Sequence, residues 1–227
     1  MNKNQFLDFV KKECQALNIT FMPVEGLTTK TITKQIDCSG FFEENYKTAP
    51  TLSIATGLPE RTFFEVLAHE FSHSKQFLEN SNYWTGSRLN TLEVARYSEL
   101  SGQDLSGFET GDLYDMWLAK EIELPADFLK DILYRTTGVE FDCEIRTIKL
   151  IEELKLDLSI KEYAQKANAY LATYFWAHKN RRWTTPGHAT YTKPEVWSLF
   201  PETIDPKFCE NLPAQVQETI LTYCVKD

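Results

Sequence analysis

The chain has 227 residues, 42% of them hydrophobic and 13% aromatic, which is enough apolar side chain for a packed core and excludes a disordered protein. Its formal charge of −9, with no long basic run, argues against a protein that grips nucleic acid through a broad electrostatic surface. No apolar run reaches membrane-spanning length, no basic stretch leads into an apolar one at the start, and the five scattered cysteines form no Cys-x-x-Cys pair. Membrane insertion, a disulfide framework and a thiolate zinc cluster are thereby set aside, and a reducing cytoplasm is the expected compartment.

Taken in chain order, Phe6, Leu7, Val10, Cys14 and Leu17 recur at helical spacing and predict a helix over 4–17. Ile19-Thr20-Phe21-Met22 reads as a short strand ended by Pro23, and 38–42 and 51–55 read as two more. Pro59-Glu60 opens a long helix over 61–80 with Phe63, Phe64, Val66, Leu67, Phe71 and Phe77 as its apolar residues. The polar, Gly- and Ser-containing stretch 82–111 is expected to be a long connection with one helical piece, of the kind that can cover a cleft. Three helical stretches follow, at 112–134, 139–156 and 159–180. The tail, with Pro186, Pro194, Pro201, Pro206 and Pro213, should wrap as turns and short helices. The expected class is α+β, mostly helical, with a three- or four-stranded sheet in the first third. No linker marks a boundary, so one domain over 1–227 is expected, with a core over about 1–156 and a helical extension over about 157–227.

The chemistry concentrates at His69-Glu70-Phe71-Ser72-His73. Residues four apart on a helix share a face, so His69 and His73 can offer two imidazoles to one ion while Glu70 stands beside it. Zinc held in this way makes a nearby water acidic, and a carboxylate can take its proton and later deliver it to the leaving amine. Only four histidines occur in the chain, and this segment holds two of them at ligand spacing.

The third ligand must come from elsewhere, because residues 74–83 contain no histidine. A glutamate on a later helix, backed four residues on by an acid that steadies the first histidine, would complete the set. Two pairs have that spacing: Glu123 with Asp127, and Glu140 with Glu144. Pro125 lies inside the first pair and is tolerated there only where a helix begins. The second pair lies in a stretch without breakers, so Glu140 is favoured as ligand and Glu144 as its support, with Glu123 and Asp127 as the alternative.

Phe64 to His73, together with Gly40-Phe41-Phe42 and Leu52-Ser53-Ile54, resembles the gluzincin metallopeptidases, closest to the compact bacterial and phage group that includes the IrrE/ImmA proteins. The resemblance spans about residues 36–80. It implies a small mixed sheet packed on the active-site helix, one zinc per chain, and hydrolysis of peptide bonds in a peptide or protein substrate. The chain departs from that group in the long interval between His73 and the third ligand and in its extended C-terminal half. Trp84 to Leu89 also resembles a segment of ArdC-type antirestriction proteins, which share a zincin domain.

Such an enzyme needs a donor for the oxyanion, and His178, Tyr174 and His188 are the candidates, Tyr170, Tyr174 and His178 sharing one helix face. For each of them the plainer reading, a packed side chain, comes first. The expected function is therefore zinc peptidase with Glu70 as general base. Its rival is a catalytically silent zinc-binding regulatory, host-takeover or antirestriction protein on the same scaffold.

Overall fold

A computed structural model describes residues 1–32, 34–44 and 48–226. Helix α1, Lys3–Ala16, starts at a capping box in which Asn2 and Gln5 satisfy each other's backbone N–H, and it buries Phe6, Val10 and Cys14. Strands β1 (Thr20–Val24), β2 (Thr29–Lys30), β3 (Asp37–Cys38), β4 (Gly40–Glu43) and β5 (Thr51–Ala55) follow. They form a three-stranded sheet of order β1-β5-β4, parallel between β1 and β5 and antiparallel between β4 and β5, and an antiparallel β2–β3 pair. The central strand β5 is buried at all five positions, which is why it reads as a continuous run without alternation.

Helix α2, Glu60–Leu78, packs its aromatic residues against α1, where Phe6 meets Phe64 and Phe9 meets Phe71. Next come α3 (Asn82–Gly86), α4 (Thr91–Ser101), α5 (Thr110–Leu118), α6 (Ala126–Leu154) and α7 (Ile160–Asn180). A short 3-10 turn, α8 (Pro194–Trp197), α9 (Pro206–Glu210) and α10 (Ala214–Cys224) complete the chain. The class is α+β and mostly helical. Among the described residues no helix is long and apolar enough to cross a membrane.

The chain forms two compact units, residues 1–79 with 143–163, and 80–142 with 164–227. The first holds α1, the strands and α2. The second is helical, with a core that includes Leu113, Tyr114, Ile132, Leu171 and Ile220.

Several boundaries differ from the sequence expectation. Strand β1 runs through Pro23 to Val24 because it lies at the sheet edge, paired only with β5, where a residue without N–H costs no ladder bond. The expected strand over 38–42 divides between β3 and β4. Segment 82–111 carries two helices and is tied to α6, since Arg135 donates to the carbonyls of Gly86 and Arg88 and to the Glu93 carboxylate. The break expected near 135–138 is absent and one appears at 119–125, so α6 is a single 29-residue helix. Gly138 sits inside it where a Cβ would come 3.1 Å from the Tyr83 ring, so close packing, not chain reversal, explains that glycine.

Candidate metal centre

The centre lies in the first unit, where α2 meets the part of α6 that begins at Cys143. The two helices are clipped together by buried hydroxyls. Thr147 donates to Ser72 at 3.0 Å, and Ser72 donates to the Ala68 carbonyl at 2.8 Å. Arg146 adds an ion pair to Glu79 at 2.6 Å. With α2 fixed along its length, the histidine face is held in one rotation.

His69 and His73 turn their Nε2 atoms toward each other at 3.1 Å, with their rings nearly perpendicular. Both Nδ1 atoms are committed to acceptors. That of His69 lies 3.2 Å from Glu144 Oε1, and that of His73 lies 2.8 Å from the side-chain oxygen of Gln76. A carboxylate and an amide oxygen can only accept here, so each Nδ1 carries the hydrogen, and in a neutral ring Nε2 then keeps its lone pair for whatever lies between the rings. Two lone pairs this close repel unless a cation stands between them. Bonds of about 2.0–2.1 Å to one tetrahedral zinc would set such nitrogens about 3.3 Å apart. The donors fit the metal.

In the metal-free chain a proton can take the same place. Burial acts to depress the His69 pKa, but the Cys143 sulfur and the Glu144 carboxylate outweigh it and hold the imidazolium well above the ordinary histidine range. An Nε2–H on His69 then donates to Nε2 of His73.

Glu144 is 3% exposed and receives a second hydrogen bond, from the Tyr163 hydroxyl to Oε2 at 2.5 Å. Cys143 packs behind His69, its sulfur 3.3 Å from the His69 carbonyl and 3.6 Å from Nδ1. Among the described residues His69, His73 and Cys143 form a group that could hold a metal ion, their ligand atoms all within 4.8 Å of one another. Glu70 lies against the strands. A Cβ on Gly40 would come 3.3 Å from Glu70 Cγ and 2.8 Å from Val66 Cγ1, so β4 passes close to this helix because residue 40 has no side chain. The Glu70 charge also reaches the Cys38 thiol, whose pKa is pushed up to about 11, first by burial and then by that carboxylate.

Of the two acidic pairs, Glu144 occupies the supporting place beside His69, and Glu140 precedes it by one turn of the unbroken α6. Glu123 lies before the first turn of α6, 75% exposed and paired with Arg181 at 2.5 Å. Asp127 is in that first turn, and the Pro125 carbonyl accepts from the Leu129 N–H, so the helix does begin at the proline.

The remaining candidates belong to the second unit. Tyr174 is bonded through its hydroxyl to that of Tyr170 at 2.9 Å, and its pKa is pushed well up, chiefly by burial and then by the Glu140 carboxylate. His178 stacks on Tyr114 and meets Trp117 at a tilt, and burial lowers its pKa. The Nδ1 atoms of His178 and His188 are both buried without a hydrogen-bond partner.

Sequence reasoning passed over Gln76 and Tyr163. Gln76 had a signal, since a residue three positions after His73 on one helix lies beside it. Tyr163 had none, because its partner is 19 positions away on another helix. No protein-family model matches the chain, nor does any curated protein or solved structure.

Proposed function

We propose that the chain is a zinc metallopeptidase in which His69, His73 and Glu140 hold one zinc and Glu70 is the general base. The observation that carries this reading is the pair of Nε2 atoms facing each other at 3.1 Å, with each Nδ1 turned to an acceptor, Glu144 or Gln76. Tautomers fixed in this way suit two neutral imidazole ligands. Glu140 is the preferred third donor because it precedes Glu144 by one helical turn, whereas Glu123 is exposed and paired with Arg181.

Zinc, when bound, supplies a Lewis acid that polarises the scissile carbonyl and acidifies a water. Glu70 takes the proton of the attacking water and passes it to the leaving amine. Glu144 holds His69 in register for this work. The close approach of β4, an edge strand, to Glu70 gives an extended peptide a place to lie as an added strand, which favours a peptide over a small-molecule substrate.

A second reading, a zinc-stabilised regulatory protein without turnover, draws on Cys143, which could close the metal set as a thiolate. Against it, the sulfur lies on the Nδ1 side of His69, where Glu144 already binds, while Nε2 faces His73. Glu70→Gln distinguishes the two. Incubated with a denatured-proteome peptide mixture, the parent should generate new peptide termini, and Glu70→Gln should bind zinc equally but cleave at least about 100-fold more slowly. Equal cleavage by both proteins would remove Glu70 from the chemistry. Zinc binding with no cleavage by the parent would favour the regulatory reading.

A further inference from the structure

Glu144 is nearly sealed from solvent at 3% exposure, and a buried carboxylate must collect donors to stay in place. His69 supplies one to Oε1, and the Tyr163 hydroxyl supplies the other to Oε2. Tyr163 is itself 5% exposed and lies at the start of α7, three residues after that helix begins. Its backbone N–H is tied to the Ser159 carbonyl at 2.8 Å, so the ring is anchored at the first turn of the helix. The phenol keeps its proton, its pKa pushed well above the ordinary range chiefly by burial and next by Glu144. It therefore acts as a donor and not as a base.

We propose that Tyr163 is a positioning residue for the metal centre: its hydroxyl fixes the plane of the Glu144 carboxylate, and Glu144 in turn fixes the ring of His69. The inference rests on the zinc reading above. A carboxylate bonded through one oxygen can swing about its Cγ–Cδ bond. One bonded through both oxygens, from two different helices, cannot. Tyr163 thus converts Glu144 from a contact into a fixed acceptor, and so limits the direction in which His69 Nε2 points. Its hydrogen bond to Glu144 is the path by which it acts on His69.

The test is a double-mutant cycle on zinc affinity, read by competition with a chromophoric chelator at a temperature where every variant is folded by circular dichroism. Loss of an outer-shell partner of a zinc histidine costs about 10–100-fold in affinity, and Tyr163→Phe should fall near the lower end, about tenfold. In a Glu144→Gln background the same change should cost less than about twofold, because the path through the carboxylate is already cut. Cobalt-loaded Tyr163→Phe should also show shifted visible bands, which a packing defect remote from the ligands would not produce. A full tenfold loss in the Glu144→Gln background, or no loss in the parent background, overturns the inference while leaving the metal site standing. A parent protein that binds no zinc removes the site and the inference together. Should Tyr163→Phe not fold, a crystal structure of the zinc-loaded parent decides. The hydroxyl on Glu144 Oε2 supports the proposal, and a hydroxyl turned away from it overturns it.

Discussion

Removing Glu144 altogether should damage both the stability of the metal-free protein and its hold on zinc, by amounts that can be worked out separately. Glu144→Ala leaves two buried donors, His69 Nδ1–H and the Tyr163 hydroxyl, without their acceptor. Each unsatisfied donor costs about 1–3 kcal/mol, so the direct loss is about 2–6 kcal/mol. Relief from burying a carboxylate offsets part of this, which leaves an expected net loss of about 2–4 kcal/mol. For a chain of this size that corresponds to a fall in melting temperature of about 5–15 °C, readable by differential scanning fluorimetry with chelator present. Zinc affinity should drop a further 10–100-fold, read by chelator competition below the new melting point. A variant that melts within about 2 °C of the parent and binds zinc within threefold of it would refute the assignment of Glu144 as the support of His69.

Two other outcomes follow from the same geometry. Glu140→Ala should release zinc to a chelator that the parent resists, while Glu123→Ala, which breaks only an exposed pair with Arg181, should retain it; the reverse pattern would move the third ligand to Glu123 and its support to Asp127. The raised His69 pKa means that the metal-free protein keeps a proton on this ring at neutral pH, so zinc must displace it. That proton stabilises the metal-free fold most below the unfolded histidine pKa, and its contribution is lost as pH rises through the folded value. Apparent zinc affinity should accordingly rise with pH from 6 to 7, by up to about tenfold for one proton displaced, and calorimetry in buffers of different ionisation enthalpy should count that proton. A pH-independent affinity with no proton release would contradict it.

The parts of the centre that could be read from the sequence are those that depend on spacing along one helix. His69 and His73 follow from the four-residue repeat, and Glu144, beside His69, is reached from the same spacing on an unbroken helix. The parts that could not be read depend on contacts between distant segments. Ser72 and Thr147 join two helices through hydroxyls that look like ordinary polar positions, and Tyr163 meets Glu144 from 19 positions away with no spacing to announce it. Nor does the spacing show that Cys143 packs behind His69. Misplaced boundaries have a similar origin. Gly138 and Pro23 are both breakers in isolation, yet one is required by the Tyr83 ring and the other sits on a sheet edge where its missing N–H costs nothing.

The central claim is that the facing Nε2 atoms of His69 and His73 are a zinc site. Its most direct test is the metal content of protein purified from zinc-supplemented medium, measured by plasma mass spectrometry for the parent and for His69→Ala and His73→Ala. The parent should carry about one zinc per chain, as a single two-histidine, one-glutamate site requires, and either variant near zero. A folded parent with no zinc, or variants that retain as much zinc as the parent, would contradict it.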